Sequence, residues 1–307
     1  MTSLEPNSPN RNLISIVVPV HNRKEELKRA LKSVISQTIQ NFEVLVVDDY
    51  SDIDIKEILE EFNDNRIRFF RLDKKGNANV CRNKGIKEAN GVYIAMLDSD
   101  DEWMPNHLEK KLNYLLEVGA DGVFGSVIID DSEKQTKILS RPFNEGELMV
   151  NYLLSNGWAP TPTHFYKTEC VNKIMWDESL LRHQDLDFSV RFSKQFKFVP
   201  SEDYTCIVHW KKGESRTENF ESQLKFIFNN KTDIQPIHYN KYFSNFYLRI
   251  RNRKDVDYNQ KKFIRKQATF YIKHCTLTDF LMIEGASLNL LSKFILRLKY
   301  CIRIICS

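Results

Sequence analysis

Three aspartates within four residues, Asp98, Asp100 and Asp101, come directly after the apolar run Tyr93-Ile94-Ala95-Met96-Leu97. Carboxylates packed this closely suit a hard divalent cation such as Mg²⁺ or Mn²⁺, which takes oxygen ligands and can bridge to phosphates. A second apolar run, Phe42-Glu43-Val44-Leu45-Val46-Val47, ends in Asp48-Asp49, and a third, Leu13 to Val20, ends in His21-Asn22. Asp and Ser also favour turns, so an acidic turn is the plainer reading of any one of these ends taken alone. Another acidic pair, Asp185 and Asp187, lies in Arg182-His183-Gln184-Asp185-Leu186-Asp187-Phe188. A carboxylate at a helix N-terminus has its charged form favoured by the dipole and can take a proton from a hydroxyl. The alternative role for Asp185 is a helix cap, and Asp187 is the rival base. Lys211, Lys212 and Arg216 surround Gly213, a pattern that fits either a diphosphate clamp or a solvated loop. No Cys or His cluster has zinc spacing, so no structural zinc is expected.

Catalytic carboxylates need a scaffold that collects them. The three runs are short and β-rich, as buried strands are. Between them, Glu25 to Thr38 carries Leu27, Ala30, Leu31, Val34 and Ile35 at helical spacing, and Ile53 to Asn63 repeats the pattern. Strand–helix alternation predicts an α/β fold with a mainly parallel central sheet flanked by helices. In such a sheet, ligands sit beyond the carboxyl ends of the strands. Asp49 and Asp98 to Asp101 would then share one edge. Tyr204 to Val208 reads as another strand, leading to His209. Beyond a polar break near Lys212 to Asn219, helical patterns cover Phe220–Asn229, Tyr242–Arg251, Gln260–His274 and Leu277–Leu298. Division is expected into a polar N-terminus (1–12), a catalytic domain (13–217, in halves 13–103 and 104–217) and a helical, basic C-terminal region (218–307).

Five motifs in order resemble family 2 glycosyltransferases. They are Ser15-Ile16-Val17-Val18-Pro19-Val20-His21-Asn22, Ser33 to Thr38, Val46-Val47-Asp48-Asp49-Tyr50-Ser51, Cys81-Arg82-Asn83-Lys84-Gly85-Ile86 and Leu97-Asp98-Ser99-Asp100-Asp101. The resemblance is close from Leu13 to Trp103 and looser to about Thr217. It implies a GT-A fold, a nucleotide-sugar donor, most often a UDP-sugar, and transfer with inversion in surface polysaccharide synthesis. Carried over, Asp49 would hydrogen-bond the base, Pro19 and His21 would line the nucleotide pocket, and Arg82 would lie near the phosphates. Asp98, with Ser99, would contact the nucleotide; Asp98 and Asp100 would bind the metal, and His209 would complete its shell. Asp185 fills the position of the catalytic base, with Gln184 where the family has a first acid. Tyr50 stands where a Gly is common and Cys81 where an Ala is usual. His164 falls where the family places acceptor-side residues, and His183 is next to the base.

The 307 residues, 42% hydrophobic and 12% aromatic, permit a sizeable core. Net charge is +4 but uneven: from Arg249 onward there are 13 Lys and Arg against 4 Asp and Glu, and the rest of the chain is net acidic. The stretch Leu288 to Cys306 mixes apolar and basic residues. It is too charged to span a bilayer, and fits either the membrane interface or a docked helix. The first 12 residues lack an apolar signal core, which predicts a cytoplasmic protein, peripheral on the inner face of the membrane through that tail, with scattered cysteines as free thiols. The expected partners are the donor and a glycan or lipid-linked acceptor, without nucleic acid, for which overall basicity is too low. Two other functions compete. A nucleotidyltransferase would want a Gly-rich loop after the first strand, absent from Val20 to Lys24. A nucleotide-sugar-binding protein without turnover would not need the full set of Asp49, Asp98, Asp100 and Asp185.

Overall fold

The computed structural model describes residues 12–210 and 219–272. The first half alternates strand and helix: β1 (Ile14–Val20), α1 (Glu25–Ile35), β2 (Phe42–Asp48), α2 (Ile55–Glu60), β3 (Ile67–Arg71), α3 (Ala78–Glu88), β4 (Tyr93–Met96) and a two-residue β5 (Glu102–Trp103). Next come α4 (His107–Glu117), β6 (Gly122–Asp130), β7 (Gln135–Ile138), α5 (Met149–Ser155), β8 (Phe165–Lys167), α6 (Thr168–Ile174), α7 (Gln184–Ser193) and β9 (Phe198–His209). Three helices complete the described chain: α8 (Phe220–Asn229), α9 (Pro236–Ile250) and α10 (Tyr258–Ile272).

The strands form one nine-stranded sheet in the order β3-β2-β1-β4-β8-β6-β9-β5, with β7 paired to β6. From β3 to β4 every pairing is parallel. Beyond β4 the sheet is mixed: β8 runs antiparallel to β4 and β6, while β9 lies parallel to β6. β1 and β2 are buried along their whole length, as expected of parallel strands covered on both faces, which read as continuous apolar runs. Pro19 lies beyond the last β1–β4 pair, where a missing N–H is tolerated. α1 and α2 press Leu27, Leu31, Val34, Ile55 and Ile58 onto this half of the sheet. α3 approaches β1 so closely at Gly85 that a Cβ there would meet Val17 Cγ1 at 2.4 Å. The glycine is required by that contact.

The chain divides into two compact units. One comprises residues 1–149 and 157–226 and contains the whole sheet; the other comprises 150–156 and 227–307. In the second unit, α9 and α10 pack on each other, burying Phe243, Phe246, Ile250 and Ile264. There the Asn151 side chain donates to the Asp233 carbonyl at 2.8 Å and accepts from the Gln235 N–H at 2.8 Å. Among the described residues no helix is long and apolar enough to cross a membrane. The stretch Leu277–Leu298 lies outside the described residues.

Candidate active site

The carboxyl ends of β1, β2 and β4 meet in a cleft of about 370 Å³ lined by Pro19, His21, Arg23, Asp49, Arg82, Asp98, Ser99 and Asp100, among others. Every residue expected at the nucleotide is therefore in one concavity. The strand ends are stapled to each other. Asn22 and Tyr50 both take left-handed backbone (φ 51° and 58°), costly for a tyrosine. The Asn22 N–H donates to Ser51 Oγ at 2.8 Å, and its side chain exchanges two bonds with Asp52. Asp48 is fully buried and accepts from Arg71 at 2.9 Å and from the Ser51 N–H at 3.0 Å. The Arg71 guanidinium in turn covers the Tyr50 ring at 5.0 Å. This bracket leaves Asp49 facing the cleft, where its Oδ1 accepts from the Gly76 N–H at 2.6 Å. His21 Nε2 lies 3.0 Å from Lys75 Nζ, while its buried Nδ1 has no partner.

α3 brings Arg82 into the cleft. Its Nη2 donates to Asp98 Oδ1 at 2.7 Å and its guanidinium lies over the Trp176 ring at 4.6 Å. Asp100 Oδ1 pairs with Arg23 Nη1 at 2.5 Å, and Arg29 donates to the Asp100 carbonyl. Burial, and next the charge of Asp98, hold the Asp100 carboxyl above its usual range despite the pull of Arg23. Burial and both neighbouring aspartates push Asp101 further up, against the His209 N–H that donates to it at 3.1 Å. Beside Asp98, two crowded carboxyls that resist ionisation, Asp100 and Asp101, fit a divalent cation, whose charge would favour their ionised forms. Among the described residues no group of three or more His, Cys, Asp or Glu could hold a metal ion, so a cation here would rest on one or two carboxylates together with substrate phosphates and water.

Asp185 is not among the residues lining this cleft; its helix, α7, begins after His183, which takes left-handed backbone (φ 56°) and makes no side-chain cap. Asp185 is thus in the first turn and not the cap, so the capping alternative does not describe it. Its Oδ1 accepts from the Leu186 N–H at 3.0 Å. Protein surrounds it closely, yet part of its surface stays open. Burial raises its carboxyl pKa against the opposing field of Arg82, and Asp98 acts in the same direction as burial. Asp187 is engaged elsewhere: its Oδ2 pairs with Arg191 Nε at 2.7 Å, and Arg191 also holds the carbonyls of Ile174 and Met175. The two acids of the motif therefore differ in surroundings.

His209 reaches the acid loop because β5 pairs with β9. Its Nε2 lies 2.8 Å from Glu102 Oε1, and it lines an adjoining cavity of about 220 Å³ together with Asp100 and Arg23. His164 is fully buried between the Ala159 carbonyl and the Tyr166 hydroxyl, and burial drops its pKa to about 3. It is a neutral core histidine and does not face an acceptor. Cys81 is buried as well, its thiol pushed up to about 12 by desolvation. Lys211, Lys212 and Arg216 lie outside the described residues. Three asparagines, Asn77 capping α3 and Asn79 and Asn83 within it, have roles that the motifs do not reveal. Asn77 Nδ2 donates to the Glu178 carbonyl, Asn79 to that of Asp177 and Asn83 to that of Trp176, at 2.7–2.9 Å. They tie the segment leading into α7 to the helix that carries Arg82. Polar residues on the inward face of a helix are the signal that could have found them.

The model of the family described as glycosyl transferase family 2 matches residues 15–179, from β1 to just before α7. The chain belongs to this family. It is 31% identical over 221 residues to the amylovoran biosynthesis glycosyltransferase AmsB of Erwinia amylovora, covering 66% of this chain and 73% of that protein. It is 32% identical over 144 residues, 47% of this chain and 56% of the relative, to WfgD of Escherichia coli, named a UDP-Glc:α-D-GlcNAc-diphosphoundecaprenol β-1,3-glucosyltransferase. The fold matches S. aureus TarS, solved in complex with UDP-GlcNAc, with a TM-score of 0.57 at 18% identity, over 91% of this chain and 77% of that one. This family 2 enzyme is a glycosyltransferase with a GT-A fold, and the described residues after β9, 219–272, are helical.

Proposed function

We propose that the enzyme moves a sugar from a UDP-sugar to a hydroxyl of a glycan or lipid-linked glycan, with inversion and with a divalent metal, in surface polysaccharide synthesis. The observation that carries this reading is the shared cleft: Asp49, Arg82, Asp98 and Asp100 line one concavity, and Asp185 feels the charges of Arg82 and Asp98. Asp49 would accept from the base, with Pro19 and His21 beside it and Ser99 at the nucleotide side of the acid loop. Arg82 would pair with the diphosphate, a charge-assisted contact suited to its fork of donors. Asp98 and Asp100 would hold Mn²⁺ or Mg²⁺, with His209 a further candidate ligand. Bound there, the ion supplies Lewis-acid charge to the departing nucleotide.

Asp185 would accept the proton of the attacking acceptor hydroxyl. Its raised pKa makes it a better base than an exposed aspartate, because proton affinity rises with pKa. Asp187, held by Arg191, would keep α7 in place. Residues 13–217 would form the catalytic domain, the donor binding through 13–103 and the acceptor through 104–217. The basic tail beyond Leu288 would hold the enzyme at the inner face of the membrane, near a lipid-linked acceptor; the AmsB and WfgD names support that setting. Calorimetric titration with UDP and Mn²⁺ tests the donor site. Saturable binding by the wild type that weakens at least about tenfold in Asp49→Ala, as expected for losing a buried charged hydrogen bond, supports the reading. Equal binding of UDP by both proteins contradicts it.

A further inference from the structure

Arg23 has no role in the donor site as proposed above, yet it lines the same cleft. It comes after the left-handed Asn22 at the end of β1 and lines both the nucleotide cleft and the adjoining cavity that contains His209. Its guanidinium is on the Asp100 carboxylate at 2.5 Å, with the Arg side chain 40% exposed and the Asp 32%. Arg29, from α1, grips the backbone carbonyl of the same aspartate. The loop position of Asp100 is therefore fixed by one arginine and its charge is balanced by another. Arg29 is tied to a main-chain atom. Arg23 reaches out from the loop between β1 and α1 and is exposed enough to exchange partners.

The carboxylate has one strong cation partner at a time. A divalent ion offers Asp100 twice the charge of Arg23, but it must displace a guanidinium already in place. A diphosphate offers Arg23 a better partner than one carboxylate, because it presents more anionic oxygens in a geometry the guanidinium fork fits. We propose that Arg23 and the divalent cation are alternative partners of Asp100, and that the donor's diphosphate decides between them by drawing Arg23 onto itself. This rests on the donor-site reading. It makes cation and nucleotide bind cooperatively, each favouring the arrangement the other needs, as reciprocal coupling requires. Arg23 is then a donor-binding residue that suppresses occupation of the acid loop by the cation alone.

The test uses the full chain, with Mn²⁺ alone and then with UDP in saturating Mn²⁺, in wild type, Arg23→Gln and Arg23→Lys. Electron paramagnetic resonance reads free Mn²⁺ and calorimetry reads UDP. The exchange requires opposite signs in Arg23→Gln: Mn²⁺ alone binds roughly three- to fivefold tighter, and UDP with Mn²⁺ roughly three- to fivefold weaker, the scale of one partly exposed ion pair. Arg23→Lys, which keeps the charge, returns both constants toward wild type. Unchanged constants, or weakening of both, overturn the exchange; circular dichroism checks that the variants are folded. A wild type that binds Mn²⁺ but no UDP sinks the donor reading and the diphosphate step with it. In that case tighter Mn²⁺ binding in Arg23→Gln still registers the competition at Asp100.

Discussion

Asp185 and Asp187 lie two residues apart and burial raises both carboxyl pKa values, but only Asp187 is paired with an arginine, so the same change should affect turnover differently at the two. Asp185→Asn removes a carboxyl that burial holds above its usual pKa. Loss of a positioned general base costs about 10²- to 10⁴-fold in turnover, or about 3–5 kcal/mol of barrier. Its effect on stability has the other sign. A folded pKa above the unfolded one means that the native state takes up a proton first as pH falls. The charged form is therefore a penalty, fully present above the raised pKa and relieved as pH drops through it. Asp185→Asn should raise the melting temperature at neutral pH, with the gain shrinking toward acid. Wild-type turnover should fall in the same range, as the base becomes protonated.

Asp187→Asn instead breaks an ion pair whose acid is 7% exposed and whose arginine is 34% exposed. Burial nevertheless raises the Asp187 carboxyl pKa against the pull of Arg191, so the pair does not repay its desolvation, and the melting temperature at neutral pH should hold or rise slightly, with any gain shrinking toward acid. Turnover should stay within about tenfold of wild type, the change in Asp187 reaching catalysis only through helix position. Nucleotide release and thermal melts at several pH values measure all of this. An active Asp185→Asn, or an Asp187→Asn that is folded but dead, would refute the assignment.

Two further outcomes concern the scaffold. Lys111 is completely buried and its Nζ holds Asp203 at 3.0 Å and Ser201 at 2.6 Å, so Lys111→Met should cost about 3–5 kcal/mol in denaturant unfolding by leaving a nearly buried carboxylate unpaired. Although burial opposes the charge of Asp203, Lys111, Thr205 and Ser201 outweigh it and hold the carboxyl below the usual range. The wild type's extra stability from this pair is thus present above the unfolded aspartate's pKa and lost as pH falls toward the lower folded value; the variant should lack that acid-side loss. Gly85→Ala puts a methyl 2.4 Å from Val17 Cγ1 and should destabilise by about 1–3 kcal/mol through overpacking, seen as a lower melting temperature; an unchanged melt would mean that α3 can shift away from β1.

The parallel half of the sheet is legible in the sequence because its strands are buried on both faces and so announce themselves as unbroken apolar runs. Their polar ends identify the cleft for the same reason: in this topology the residues just past a strand's carboxyl end face the ligand. The other half is legible only in part: Tyr204 to Val208 reads as a strand and lies in β9. β8 is only three residues long, too short for any periodicity, and its antiparallel insertion between β4 and β6 is decided by tertiary pairing. Lys111 sits in His107-Leu108-Glu109-Lys110-Lys111, which reads as a solvated helix face; the partners that allow its burial, Ser201 and Asp203, are some 90 residues away. Arg23 is hidden likewise, since its contact with Asp100 joins two loops. Tyr50 departs from the glycine common at its position, and the structure gives the reason the position matters: the turn is left-handed. Conformation at such a turn is dictated by the bracket of Asp48, Ser51 and Asn22 around it, not by the residue's own preference.

The most direct measurement is nucleotide release from a panel of UDP-, GDP- and dTDP-sugars with Mn²⁺, Mg²⁺ or EDTA, in wild type and Asp98→Ala. Slow hydrolysis reports the donor even without an acceptor. The account predicts release from one UDP-sugar, supported by Mn²⁺ or Mg²⁺, abolished by EDTA and by the substitution. Silence across the panel together with no metal-dependent nucleotide binding would contradict it, as would release that is indifferent to both metal and Asp98.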